Sequence, residues 1–137
     1  MAVPSTIARR IAYETLSTND EILAISIMDL RGNIIAATSK ESFKQDFGVS
    51  REGDKYGGSL AVAALAVANE VREVVGEAQA LISIYKKCKM MLLPVPSYEI
   101  LVRFVLHGSV NAEGYNIANK IERLLVDAIE SHHNSNL

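Results

Sequence analysis

Three apolar runs separated by very short links lie between residues 79 and 106, and they constrain the fold more than any other feature of the sequence. The runs cover residues 79–87, 89–95 and 98–106. Links this short leave no room for the crossover that a parallel pair of strands needs. We therefore predict three antiparallel neighbouring strands. Pro94 cannot donate to a strand ladder, so its amide side should face outward or lie at a bulge.

A second pair of apolar runs lies nearer the N-terminus. Residues 22–28 are rich in isoleucine, and residues 34–38 form the return run. The intervening DLRGN is typical of a turn, in which Gly32 is free to adopt a positive φ. This pattern predicts a β-hairpin. Ahead of it, apolar residues at helical spacing up to Leu16 predict a short first helix.

The longest helical pattern runs from Gly58 to Val75. Its first half is apolar almost all round, which is typical of a helix buried on more than one side. Gly76 should end it. A last helix is predicted over residues 112–130, followed by a frayed tail over 131–137. The order α-β-β-α-β-β-β-α predicts an α+β fold with one five-stranded antiparallel sheet and helices packed against it.

Length and composition limit the class of protein. The 137 residues fit one domain over 1–137. A formal charge of −2 argues against a nucleic-acid binder. The longest nearly uncharged stretch, Tyr56–Asn69, is too short to cross a bilayer. The N-terminus lacks the apolar core of a secretory signal. We expect a cytoplasmic protein with no transmembrane segment.

Residues 39–56 show no clear period and are predicted to form a long polar loop. They carry eight charged side chains together with Phe43, Phe47 and Tyr56. Two alternatives remain open for these aromatic residues. They could anchor a protein partner within a polar rim. They could instead fold back and cap one end of the sheet.

The glycines and histidines do not form a recognisable cofactor site. Gly48 and Gly53 have the glycine spacing of a phosphate loop, but Asp54 stands where that motif has its lysine, and a carboxylate there would repel phosphate. No cluster of acidic residues accompanies His107 or the histidines of the tail, so no metal site is expected. We expect no cofactor.

Catalytic residues are equally hard to find. Cys88 lies in a basic turn, where Lys86, Lys87 and Lys89 could lower its pKa and make it reactive. No histidine lies near it in sequence to act as a base, so a structural role is favoured. Arg103 is the one charge inside an apolar strand, and it should point to water or anchor a partner. The chain is predicted not to be an enzyme.

The ordered set of motifs resembles the Roadblock/LC7 family, which is related to the longin and profilin-like folds. ISIMDLRGNIIAAT resembles the family's opening hairpin, and SLAVAALAVANEV resembles its alanine-rich second helix. ALISIYKKCKMMLLPVPSYEILVRFVL resembles its three-stranded meander, and NAEGYNIANKIERLL the entry into its last helix. The loop over residues 39–56 is longer than the usual link of the family.

The resemblance implies a non-enzymatic homodimer. Members of the family pair through the third strand and second helix, and they act with small Ras-like GTPases, in dynein-type motor complexes or as signalling scaffolds. For this chain the resemblance implies a dimer interface at Leu60, Ala61, Ala64, Leu65, Ala68, Val71, Ile82 and Ile84. Partner contacts are expected from the residues themselves, at Phe43, Phe47 and Tyr56 of the loop and at Arg103.

Two other functions stay open at this stage. A small-molecule sensor of PAS or GAF type would also wrap helices around an antiparallel sheet, and it predicts a cavity lined by polar groups. An enzyme using Cys88 is the third possibility. The adaptor hypothesis predicts instead a filled core and an exposed apolar dimer surface.

Overall fold

A computed structural model describes residues 3–43, 51–109, 119, 123 and 126–131, and it confirms the predicted α+β fold with one five-stranded antiparallel sheet. Residues 126–131 are helical, and the rest of the predicted last helix and tail lies outside the described residues. In chain order the elements are α1 (Ser5–Thr18), β1 (Ile22–Asp29), β2 (Ile34–Ser39), α2 (Arg51–Ala68), a 3-10 turn (Asn69–Val71), α3 (Arg72–Val75), β3 (Leu81–Ile84), β4 (Cys88–Val95), a second 3-10 turn (Pro96–Tyr98) and β5 (Ile100–His107).

The sheet joins the N-terminal hairpin to the C-terminal meander through a pairing between distant strands. The strand order is β2-β1-β5-β4-β3, and every neighbouring pair is antiparallel. Ile25 of β1 lies opposite Phe104 of β5, and Ser26 lies opposite Arg103. β5 is therefore the central strand, while β2 and β3 are the two edges.

The three strands of the meander are present, but β3 is shorter than predicted at both ends and β5 begins two residues later than predicted. β3 covers only Leu81–Ile84 because the chain already turns at Tyr85, whose N–H donates to the carbonyl of Cys88 at 2.9 Å. β5 begins at Ile100 because the 3-10 turn and Glu99, with φ 57°, precede it. Pro94 pairs with Leu101 on one side and lies beyond the end of the β3 ladder on the other. Its missing N–H therefore breaks no bond to β3, as the sequence predicts.

The second helix differs from its prediction at its start and in its continuity. α2 begins at Arg51, so residues 51–56 of the predicted loop are helical. The apolar period starts only after Gly57 and Gly58, so periodicity cannot detect this first turn and a half. The helix also does not run unbroken to Val75, because a 3-10 turn over Asn69–Val71 interrupts it. Gly76, with φ 85°, ends it as predicted.

The sheet is covered differently on its two faces. On one face, α1 and the last helix pack over a large cluster that includes Ile27, Val102 and Phe104. On the other face, α2 covers a small cluster in which Ala61 meets Met28 and Leu101. The core is therefore deep on the α1 side and shallow on the α2 side.

The β1–β2 turn is held by the carboxylate of Asp29. Its Oδ1 accepts the backbone N–H groups of Arg31 and Asn33, both at 2.9 Å, and its Oδ2 accepts the side-chain amide of Asn33 at 3.0 Å. Slight burial acts to raise the pKa of Asp29. The hydrogen bonds from Asn33 and Arg31, with the Arg31 charge, outweigh it and hold the pKa below the ordinary 3.8. The charged carboxylate therefore stabilises the folded turn.

We expect Asp29→Ala to lower the free energy of unfolding by about 1 kcal/mol at neutral pH, since three hydrogen bonds to a charged acceptor are lost. Because the folded pKa is depressed, this contribution is complete above an aspartate's ordinary pKa and is lost as the pH falls below 3.8. Urea denaturation at pH 7 and at about pH 3, at one protein concentration, measures the difference. Asn33→Ala, which removes one donor, should cost less. An equal loss for Asp29→Ala at both pH values would contradict this account.

Candidate functional site

An unusually apolar surface runs along α2 and α3 and reaches the edge strand β3. Leu60 is 69% exposed and Val74 is 86% exposed, although both belong to a sequence pattern typical of a core. Contiguous exposed apolar surface of this kind marks an interaction site. We call this set the apolar edge surface: Leu60, Ala64, Val67, Val71, Val74 and Val75 on the helices, with Tyr85 at the end of β3.

The helical part of this surface has the spacing of a coiled-coil seam. Leu60, Ala64, Val67, Val71 and Val74 follow one another at intervals of four, three, four and three residues. Alternation of this kind places side chains along one stripe of a helix that faces a second helix. The 3-10 turn breaks the regular geometry near Val71, but Val71 and Val74 are exposed all the same. This spacing is the sequence signal that could have identified Val67 and Val74.

A cavity of about 430 Å³ separates α2 from the β3 side of the sheet. Leu60 and Ala64 form its helical wall, Leu81 and Tyr85 belong to its strand wall, and Arg103 lies among its lining residues. The lining is mainly apolar, and Met90, Met91 and Leu92 of β4 complete it. The sensor hypothesis predicts a polar lining, so this cavity does not have the predicted character. It joins the helical and strand parts of the apolar edge surface into one region.

The residues predicted for the dimer interface do not all lie on this surface. Leu60, Ala64 and Val71 are exposed there, while Leu65 and Ala68 are half-buried. Ala61 is not part of the exposed surface, because its side chain faces the sheet and is buried against Met28, Leu92 and Leu101. Ile82 and Ile84 are exposed on the face of the sheet opposite α2. Side chains alternate along a strand, and the neighbouring Leu81 and Ser83 line the cavity on the α2 face.

Of the three aromatic residues in the predicted loop, Phe43 is the one whose side chain the structure describes. Phe43 is buried with Ala24, Cys88 and Val105. It therefore caps the end of the sheet, which is the second of the two alternatives, and it is not an exposed anchor in this chain. Phe47 and the side chain of Tyr56 lie outside the described residues, so their partner contacts stay predictions.

One of the two alternatives for Arg103 was that its side chain points to water, and the structure does not show this. Its side chain is half-buried on the α2 face of β5, and its Nη2 donates to Oγ of Ser26 at 3.4 Å. Ser26 lies directly opposite in the sheet and is buried. The guanidinium therefore lies on the α2 face of the sheet and lines the cavity, where it could contact a molecule bound to this face.

Cys88 is not the exposed turn residue that the sequence suggests. It is the first residue of β4 and is buried beside Phe43. Burial raises the pKa of its thiol, which opposes formation of the nucleophilic thiolate. Within the described residues no group of three or more metal-binding side chains is found, and no helix there is long and apolar enough to cross a membrane.

Neither a protein-family model nor a curated protein matches the sequence. Solved structures do match it. A Roadblock/LC7 domain from Streptomyces avermitilis has a TM-score of 0.67 at 6% sequence identity, over 90% of this chain and 95% of that one. The fold is that of a Roadblock/LC7 domain.

Two further structures with this fold are of the protein MglB. The gliding protein MglB from Thermus thermophilus has a TM-score of 0.68 at 13% identity, over 96% of this chain and 94% of that one. An MglB structure with a tetrameric arrangement has a TM-score of 0.68 at 13% identity, over 96% of this chain and 93% of that one. At such low identity the likeness establishes the Roadblock/LC7 fold alone.

We expect Phe43→Ala to lower the free energy of unfolding by about 3 kcal/mol, because it empties a buried aromatic site. Urea denaturation at a fixed protein concentration measures the loss. Tyr13→Ala is the matched control, since Tyr13 is a large aromatic residue that is 66% exposed on α1. An unchanged midpoint for Phe43→Ala would contradict the capping role and return Phe43 to the candidate partner contacts.

Proposed function

We propose that this chain is a non-enzymatic homodimeric adaptor of Roadblock/LC7 type that binds or regulates a small Ras-like GTPase in the cytoplasm. The observation that carries the proposal is the apolar edge surface, a run of exposed apolar side chains along α2 and α3 of the kind that marks an interaction site. A second copy would remove this surface from water. The fold and the sequence resemblance both support the assignment to this class of adaptor.

The unpaired edge of the sheet supports self-association independently of the helices. β3 is an edge strand whose four residues, LISI, include no charge and no proline. Natural edge strands are commonly protected by such residues, because an open row of N–H and C=O groups can pair with another strand. Pairing of β3 with β3 of a second copy would satisfy these groups and extend the sheet across both chains.

The second helix is the natural place for the two copies to meet on the α2 face. Its seam carries the small side chain of Ala64 between Leu60 and Val67. Small residues permit close approach of two helices, and the larger side chains beside them supply apolar area. The cavity between α2 and β3 would then be narrowed by side chains of the second copy.

The GTPase part of the proposal rests on the family resemblance. Its candidate polar contacts are Arg103 and the turn Lys86–Lys89, and its candidate aromatic contacts are Phe47 and Tyr56. No cofactor, metal or nucleic acid is needed for such a role.

We expect the chain to form a dimer of about twice 14.9 kDa, and Ala64→Glu to shift it towards the monomer. An unpaired carboxylate in a closed helix contact costs at least several kcal/mol. Light scattering at micromolar concentration measures the mass. Ala66→Glu is the matched control, because Ala66 is also exposed on α2 but lies well away from the seam. A monomer mass for the native chain would refute the homodimer.

We expect the native dimer to bind at least one small Ras-like GTPase of its host, and the Ala64→Glu variant to bind it less tightly. The reason is that a surface built from two copies is lost when they separate. Calorimetry with each GTPase, loaded with GDP or with a GTP analogue, measures the affinity and the nucleotide preference. Absence of binding in both states, for every GTPase tested, would remove the assigned function and leave the fold unaffected.

A further inference from the structure

The cavity between α2 and β3 has the size and the lining of a small-molecule site. Its volume of about 430 Å³ lies within the range of ligand pockets in proteins. Leu81, Met90 and Leu92 give it an apolar wall along the sheet, and Leu60 lies on its helical side. Among the described residues that line it, Arg103 carries the only charge. Ligand sites are typically built in this way, from apolar walls and a few polar groups that fix the orientation of the ligand.

The register of the sheet places Arg103 at the inner end of this cavity. Leu81 of the edge strand lies opposite Leu92 of β4, and Leu92 lies opposite Arg103 of β5. Residues directly opposite in a sheet share a face, so the three side chains form one row that runs from the edge inward. Two strand spacings, together about 10 Å, separate β5 from the edge.

The outer end of the cavity is apolar and open to solvent. Tyr85 at the edge and Leu60 on the helix are both more than half exposed, at 55% and 69%. Ala61 and Leu92, which line the inner part, are buried. A molecule that enters from the edge therefore meets apolar side chains first and the guanidinium of Arg103 last.

This arrangement suits an anion at the end of an apolar chain. A guanidinium is a planar fork of N–H donors, and a carboxylate can accept two of them in parallel. A phosphate would bring further negative charge, and no second cation is found among the described lining residues. A peptide ending in a carboxylate would bring N–H and C=O groups that apolar walls cannot satisfy. The lining therefore favours an aliphatic carboxylate.

We infer that the cavity binds a single-chain aliphatic carboxylate of about eight carbons, with its carboxylate on Arg103 and its chain running outward past Leu92 and Leu81. The length follows from the two strand spacings that the chain has to cross. Each methylene that leaves water for the apolar wall raises the affinity by about fourfold. The site is built from residues of one chain, so the inference does not rest on the proposed homodimer or on a GTPase partner.

Calorimetry with butanoate, hexanoate and octanoate tests the chemistry of the ligand. The affinity should rise by about tenfold for every two methylenes. Octan-1-ol and octylamine have the same chain with a neutral or a cationic end, and both should bind about tenfold more weakly than octanoate because neither forms a charged pair with a guanidinium. No saturable binding of octanoate at up to about 1 mM would overturn the inference. So would tighter binding of a peptide with a free C-terminal leucine.

A charge-removing variant tests the contact with Arg103. Arg103→Gln should weaken octanoate binding by about tenfold and leave the binding of octan-1-ol unchanged. Arg9→Gln is the matched control and should change neither, because Arg9 is exposed on α1, which packs on the other face of the sheet. Equal losses for both ligands in Arg103→Gln would mean that the variant only reshapes the cavity, and they would overturn the carboxylate contact.

A cavity-filling variant tests the location. Ser83 is an exposed residue of β3 that lines the cavity, so Ser83→Phe should weaken the binding of octanoate and octan-1-ol alike. Ile82→Phe is the matched control, because Ile82 is the neighbouring residue on the opposite face of the sheet, and it should leave both affinities unchanged. Native affinity for octanoate in Ser83→Phe would place its site elsewhere on the protein and overturn the inference.

Discussion

The pairing of β1 with β5 is the interaction on which the rest of this structure depends. It joins a hairpin from the first third of the chain to a meander from the last, and it makes β5 the central strand. Six of the eight residues of β5 are buried hydrophobic residues, Arg103 is half-buried, and only His107 is exposed. Their side chains alternate between the two faces of the sheet. A strand buried on both faces requires helices on both faces. The placement of α1 and α2 follows from that requirement.

The two helical layers meet this requirement unequally. The α1 side buries large side chains such as Ile11 and Phe104 almost completely. The α2 side has Arg103 and Ser26 at the middle of the sheet, and a cavity lies between helix and strand. An apolar helix above a half-polar sheet face cannot bury all of its own side chains there. The excess apolar surface of α2 is thus a consequence of which residues β1 and β5 present to it.

The sequence is sufficient to predict the elements that have a strong local signal. The hairpin around Gly32, the three strands of the meander and the end of the helical region at Gly76 each depend on neighbouring residues only. The first turns of α2 were missed because they contain glycines and no apolar period, and a helix there is extended from the stronger segment that follows. The burial of Phe43 and Cys88 could not be predicted, because it depends on the pairing of β4 with β5 and on the path of the chain after β2.

The apolar edge surface could be predicted only in part from the sequence. A helix that is apolar all round must be covered on more than one side, but the pattern does not say by what. The structure shows that the apolar residues of this helix lie on two sides. Ala61 faces the sheet, and the stripe from Leu60 to Val74 is exposed to solvent. Residues at which the pattern of a core and the exposure of a surface disagree are the expected marks of function.

An adaptor with this construction would couple its own assembly to partner binding. α2 packs on one face of the sheet whose edge strand is β3, so the alignment of two paired β3 strands would also set the relative position of the two α2 helices. A partner that contacts both helices would then bind only the correctly aligned dimer and would stabilise it by mass action. The dissociation constant of the dimer would therefore fall in the presence of a true partner. It would stay unchanged with a protein that contacts one copy alone, because such a protein does not favour the dimer over the monomer.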